Sequence, residues 1–246
     1  MLEVRNLAKT LSGREVLRGV SIQARSAGIT CVIGPNASGK TTLLRCIQGD
    51  YQVPPETVWL DGQPREALEE DWSTRFGVMP DVATLPHNLT GNELLGFVQK
   101  SRGLAVECSP QSQTGRLIDA LLVRDDLEQT IGSYSSGTRH KLSIILSMLA
   151  RPRVWLLDEP FNYLDPAATY NLKHFVSDYV HDQGAIALVV THTLALLHRW
   201  AGQVYLLQQG SITGQWDAEA MAAIQESPDG LERELARLMM EGCEDA

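Results

Sequence analysis

The chain has no apolar run that approaches the roughly 18 residues needed to suggest a membrane span. Its longest apolar stretches, around 142–149 and 185–190, are the size of core segments. The opening Met1-Leu2-Glu3-Val4-Arg5 has neither a basic start nor an apolar segment, so no secretory signal is expected and the cytoplasm is the default compartment. Basic charge is in deficit as well. Lys and Arg number 21 against 30 Asp and Glu, for a formal net charge of −9, which argues against nucleic-acid binding driven by overall charge. Cysteine is scarce: the four at 31, 46, 108 and 243 form no C-x-x-C pair and no zinc spacing, so reduced structural thiols are expected. Internal repeats and low-complexity tracts are missing. The 246 residues are enough for one large domain with a subdomain.

What is present begins with Gly34-Pro35-Asn36-Ala37-Ser38-Gly39-Lys40-Thr41, which fits G-x-x-x-x-G-K-[ST]. A β-branched apolar run, Ile29 to Ile33, precedes it, and Thr42 to Ile47 has helical character, so the motif has the strand-loop-helix context it needs. Gly34 and Gly39 let the backbone turn and bring its N–H groups close to a phosphate, and the N-terminus of the following helix adds positive potential. Lys40 is expected to reach the β- and γ-phosphates, and Thr41 to offer its hydroxyl to Mg²⁺, with Thr42 completing the nucleotide-binding stretch.

The first 22 residues alternate in the manner of strands, over Leu2 to Leu7 and Val16 to Ile22, with Ser12-Gly13-Arg14 turning between them. Val58-Trp59-Leu60 and Phe76-Gly77-Val78 read as short strands, the second stopped by Pro80. From Leu89 to Leu127 the spacing of Leu94, Leu95, Val98, Leu117, Ile118, Leu121 and Leu122 turns helical, while Cys108 to Gly115 reads as an exposed loop. Helix over 138–150, then strands at 154–157 and 186–191, complete an α/β pattern with a largely parallel sheet.

Val154-Trp155-Leu156-Leu157 delivers Asp158 and Glu159 to the carboxyl edge of that sheet, where ligands bind in open α/β folds. Asp158 is expected to hold Mg²⁺ through water, and Glu159 to polarise the water that attacks the γ-phosphate.

Together these residues resemble the ATP-binding cassette (ABC) ATPases, over most of the chain. Tyr134-Ser135-Ser136-Gly137-Thr138 is similar to the signature motif, usually L-S-G-G-Q, departing at Tyr134, Ser136 and Thr138. The resemblance implies that Ser135 and Gly137 grip the γ-phosphate bound by the other subunit of a homodimer. Asn162-Tyr163-Leu164-Asp165 resembles the D-loop, and His192 the switch histidine that touches the γ-phosphate. The aromatic that commonly stacks on adenine aligns with Leu11, and the Q-loop glutamine with Asp81, which would either place an acid near Mg²⁺ or merely cap the turn after Pro80 and face solvent.

The implied fold is α/β, a P-loop NTPase with a largely parallel core sheet, an N-terminal antiparallel β-subdomain and an inserted helical subdomain. One cassette would span 1–246, with an ATP-binding core at 1–81 and 138–215, a helical subdomain at 82–137 and a C-terminal helical tail at 216–246. ATP and Mg²⁺ are the implied cofactors, with no nucleic acid. Leu89-Thr90-Gly91-Asn92-Glu93-Leu94-Leu95 is similar to the L-T-x-x-E-N-L segment of drug, antibiotic, polysaccharide and haem exporter cassettes. Residues 231–240 resemble the short C-terminal helix of such subunits. An ATPase driving a separate integral membrane permease from the inner face of the cell membrane is thus implied. The alternative is a soluble ABC ATPase that remodels a non-membrane assembly; the single cassette without coiled-coil insertions fits ribosome-acting and DNA-repair members poorly.

Overall fold

A computed structural model describes residues 1–105, 108–193, 197, 200–217 and 219–221. Cys243 and the C-terminal helix expected at 231–240 lie outside the described residues. Two sheets carry the chain. Strands β1 (Leu2–Leu11) and β2 (Arg14–Ala24) form an antiparallel hairpin, and β4 (Val58–Leu60) and β5 (Gln63–Pro64) extend it in the order β2-β1-β4-β5. Its turn is Ser12-Gly13 alone, both at positive φ (49° and 80°), so Arg14 already belongs to β2. The second sheet has six strands. Strands β3 (Gly28–Ile33), β6 (Phe76–Val78), β7 (Val154–Asp158), β8 (Ile186–Thr191) and β9 (Gln203–Gln208) are all parallel, and β10 (Ser211–Trp216) lies antiparallel on one edge in the order β10-β9-β3-β8-β7-β6.

Strand β8 is buried at all six positions, as a strand covered on both faces must be. Side chains alternate across the sheet and divide the interior in two. Cys31, Ile33, Trp155, Leu157, Ala187 and Val189 face α5 (Ser136–Met148) and α6 (Pro166–Gln183); Val32, Leu156, Leu188 and Val190 pack with Leu43, Leu44 and Ile47 of α1 (Lys40–Gln48) and with the antiparallel sheet. A short α2 (Glu69–Trp72) precedes β6, and Trp72 caps the second interior by donating to the Ile47 carbonyl at 3.0 Å. Burial pushes the thiols of Cys31 and Cys46 up, to about 12 and about 11, and both are free.

Between β6 and β7 the chain is helical, with α3 (Gly91–Ser101), α4 (Gln113–Ala120) and α5. Helix α3 starts in a capping box: the Glu93 N–H donates to Thr90 Oγ1 at 3.1 Å and the Thr90 N–H to Glu93 Oε2 at 2.8 Å. The stretch 108–115, expected as an exposed loop, is an exposed turn over Ser109, Pro110 and Gln111, and from Ser112 it is the entry to α4. Ser112 accepts from the Gly115 N–H at 2.9 Å as the cap, and Ser112, Thr114 and Gly115 are buried. A Cβ on Gly115 would lie 1.8 Å from the Ser109 carbonyl oxygen, so its turn composition serves close packing. Strands β9 and β10 do not emerge from the local pattern. Their Gln209-Gly210 link, at φ 46° and 84°, is the two-residue hairpin turn that would announce them.

Candidate functional site

Strand register brings the candidate residues together. Ile33 pairs with Thr191, and Asp158 with Val190, so β3, β8 and β7 end side by side and project Gly34, His192 and Glu159 from one sheet edge. The loop after β3 is tightly confined. A Cβ on Gly34 would lie 2.1 Å from the Leu207 carbonyl oxygen, and one on Gly39, at φ 109°, would meet Leu17 at 2.8 Å, so only glycine fits either place.

Lys40 opens α1 and is buried, with its ammonium donating to the Gly34 and Pro35 carbonyls at 2.8 and 3.0 Å and lying 3.9 Å from Glu159 Oε1. Desolvation holds its pKa below the ordinary lysine value, against the pull of Glu159 and Asp158. Two carbonyl acceptors and a distant carboxylate are a weak substitute for phosphate oxygens. Ser38 Oγ in the same loop is buried with no hydrogen-bond partner among the described residues, which marks a position for an incoming acceptor or donor.

Thr41 Oγ1 donates to Asp158 Oδ2 at 2.7 Å. Burial raises the pKa of Asp158 above the usual carboxylate value; the Thr41 hydrogen bond opposes the rise and neighbouring Glu159 adds to it. A hydroxyl and a carboxylate at one point are hard oxygen donors of the type Mg²⁺ takes.

Glu159 occupies the left-handed region at φ 48°, with its N–H donating to the Val190 carbonyl at 2.9 Å. Its carboxylate folds back over the end of β8. Oε2 accepts from Thr191 Oγ1 at 2.9 Å and from the His192 N–H at 3.3 Å, and Oε1 lies 2.8 Å from His192 Nδ1. The carboxylate, the imidazole and the Lys40 ammonium therefore share one cluster.

Around them lies a cavity of about 750 Å³, within the roughly 300–1,000 Å³ range of small-molecule and cofactor sites. Pro35 to Thr42, with Asp158 and Glu159, form one end; Arg14, Glu15, Val16 and Arg18 from β2 and Gln209 and Gly210 from the β9–β10 turn form the other. The Arg18 N–H donates to the Gly210 carbonyl at 2.8 Å, which ties the two walls together.

Six of the expected site residues are not among those lining the cavity: Gly34, Leu11, Asp81, Ser135, Gly137 and His192, of which Ser135 and Gly137 were expected at the nucleotide of a second subunit. Leu11, expected against the base, is half-buried opposite Arg14 and does not line the cavity, because the tight Ser12-Gly13 turn carries Arg14 and Val16 to the wall in its place. Asp81, expected as a metal ligand, is exposed; its carboxylate accepts from the Ala83 N–H at 2.9 Å and caps the turn at Val82–Thr84. That correction follows from geometry: a short side chain after Pro80 is committed to the backbone two residues on. Ser135 and Gly137 do not line the cavity either. Ser135 caps α5, accepting from the Thr138 N–H at 3.0 Å, and Gly137 sits where a Cβ would be 2.8 Å from the Tyr163 carbonyl oxygen.

The sequence matches the ABC transporter family over residues 17–162. An ABC transporter ATP-binding/permease protein of Mycobacterium tuberculosis is 31% identical over 216 residues, covering 86% of this chain and 25% of that protein, so the chain spans a quarter of this relative's length. The hemin import ATP-binding protein HmuV of Rhizobium meliloti is 27% identical over 225 residues, covering 86% of this chain and 84% of that one. A solved ATP-binding subunit of an ABC transporter superposes with a TM-score of 0.81 at 23% identity, covering 98% of this chain and 99% of its own, which shows the shared fold. With the P-loop, the paired acids and the histidine gathered at one sheet edge and the family match spanning most of the ATP-binding elements, this chain belongs to the ABC transporter family of ATP-binding cassettes, which are ATPases.

Proposed function

We propose that two copies of this chain close around ATP and Mg²⁺, hydrolyse the nucleotide, and drive a separate membrane permease. The observation that carries the reading is the division of the site. One chain gathers Lys40, Thr41, Asp158 and Glu159 about its cavity, with His192 held against Glu159, while Ser135 and Gly137 cap and pack a helix outside it. A second copy related by two-fold symmetry would present its Ser135 and Gly137 to the phosphate, making both sites equivalent.

In this arrangement the P-loop amides and Lys40 hold the phosphates, the unpartnered Ser38 hydroxyl gains a partner, and Thr41 with Asp158 holds Mg²⁺. The metal supplies charge neutralisation at the phosphate oxygens when bound. Glu159 takes the proton of the attacking water, and His192, released from Oε1, donates to the γ-phosphate. Positioning and electrostatics supply most of the rate, since phosphoryl transfer asks little covalent chemistry of the protein.

No helix among the described residues is long and apolar enough to cross a membrane, so the reading places the chain peripherally, at the inner face of the cell membrane, through its permease. Export is our preferred direction, supported by the resemblance of Leu89 to Leu95 and of the Tyr134 form of the signature to exporter cassettes. Glu159→Gln should keep ATP binding, slow hydrolysis by roughly 10²-fold or more, and accumulate an ATP-bound dimer in sedimentation or with the permease present. Turnover near wild type in that variant overturns the reading. Transport by the reconstituted complex in oriented vesicles decides the direction.

A further inference from the structure

The carboxylate of Glu159 is held unevenly, and the difference falls between its two oxygens. Oε1 lies 2.8 Å from His192 Nδ1 and 3.9 Å from Nζ of Lys40, a residue of the cavity wall. Both partners are groups that a phosphate would draw away. Oε2 is held by groups that stay with the sheet: the Thr191 hydroxyl at 2.9 Å and the His192 backbone N–H at 3.3 Å. Thr191 is the last residue of β8, 1% exposed, and its backbone is fixed by pairing with β3.

The hydroxyl is also oriented. The Thr193 N–H donates to Thr191 Oγ1 at 3.1 Å and occupies one lone pair, which leaves the hydroxyl proton for Glu159 Oε2. The Thr193 amide, the Thr191 hydroxyl and the Glu159 carboxylate thus form a short directed chain ending at the proposed base. An acid at left-handed φ at a strand end has several staggered side-chain alternatives, and a water-polarising role needs one of them.

From this we infer that Thr191 is a positioning residue for hydrolysis: it pins Oε2 so that Oε1 is the oxygen presented to the attacking water once nucleotide draws Lys40 and His192 to the phosphate. The inference deepens the proposed function and rests on Glu159 acting as the base. Thr191 itself is buried and is not among the residues that line the cavity. The hydrogen bonds of the Thr191 hydroxyl go to Thr193 and to Glu159 Oε2 and not to the P-loop, so nucleotide binding and the Thr191 effect are separable.

The experiment compares Thr191→Val, nearly isosteric and lacking the hydroxyl, Thr191→Ser, which keeps it, and Glu159→Gln. Steady-state hydrolysis, ATP binding by calorimetry, and the thermal midpoint of the nucleotide-free protein are measured on each. Thr191→Val should lower kcat by roughly 10-fold or more, with KM and the ATP dissociation constant within about 2-fold of wild type. Thr191→Ser should recover most of the lost turnover. Unimpaired kcat in Thr191→Val beside a slow Glu159→Gln overturns the inference alone. Equal loss in the Val and Ser variants, tracking their thermal midpoints, also overturns it, because the residue then matters for packing. Near-wild-type turnover in Glu159→Gln overturns the base assignment and this inference with it.

Discussion

Asp158 is held where a carboxylate resists ionising: burial raises its pKa, and the single Thr41 hydroxyl at 2.7 Å only partly offsets the rise. A carboxylate whose folded pKa lies above its unfolded one makes the folded state bind more protons, so it costs stability as pH rises through the unfolded value, and the whole cost is present above the raised folded value. Asp158→Asn removes the charge while its amide oxygen still accepts from Thr41. The nucleotide-free variant should therefore melt at a higher temperature than wild type, and its hydrolysis should be lost; differential scanning calorimetry showing a lower midpoint would contradict the assignment of cost. The same scale separates residues that a sequence discloses from those that it hides. Lys40, Thr41, Asp158 and Glu159 are legible because each follows from a local motif beside a strand. Thr191 is not, since its hydroxyl gains meaning only from the register that sets β7 beside β8. Asp81 and Leu11 show the opposite: a position carried over from a resemblance says nothing of what the local turn does with the side chain.

Elements extend the argument from residues to segments, and the segment Leu89 to Leu95 shows how a motif can have two causes. Its Thr90 and Glu93 make both hydrogen bonds of a capping box, which gives α3 its start and the helical insert its entry angle. Thr90→Ala should lower the free energy of unfolding by about 1 kcal/mol, the usual effect of losing such a cap. ATP affinity should not change, because α3 contributes nothing to the cavity wall; chemical denaturation and calorimetry on the same sample check both halves. Strands of the core are readable because β3, β7 and β8 are short, apolar and bounded. Strand β9 is as apolar but lies outside any motif. The Gln209-Gly210 turn that joins it to β10 acquires its role only in the packed chain, where a Cβ on Gly210 would lie 2.4 Å from the Val16 carbonyl oxygen. Ser112 to Gly115 misleads for the same reason: its turn-forming residues serve packing, and Ser112, Thr114 and Gly115 are buried at the start of α4.

At the scale of the whole molecule, one buried side chain joins helix α5, which begins at Ser136, to the loop that follows Glu159. His140 on α5 is 8% exposed, lies 3.2 Å from the Pro160 carbonyl through Nε2, and meets the Tyr163 ring edge-on at 5.9 Å between centroids. With Nε2 protonated the neutral ring donates to Pro160, and it holds the segment carrying Tyr163, itself 71% exposed, against α5. Desolvation keeps the pKa of His140 below the ordinary histidine value of 6.5, and the backbone acceptors Pro160 and Glu159, with the Asp158 charge, offset it only in part. The sign follows from proton counts. Below 6.5 the unfolded chain takes up a proton that the folded chain still refuses, so the stability contributed by neutral His140 is complete above that pH and is lost as pH falls through the lowered folded value. His140→Gln keeps a donor for the Pro160 carbonyl and has no proton to gain. Its thermal midpoint should fall less steeply than that of wild type between pH 6.5 and the acid transition, with the two curves separating further as pH drops. Identical slopes would mean that His140 titrates freely in the fold. Because the ring holds the Tyr163 segment against α5, whose start carries the Ser135 and Gly137 of the proposed interface, the same acid range should also weaken the ATP-bound Glu159→Gln dimer.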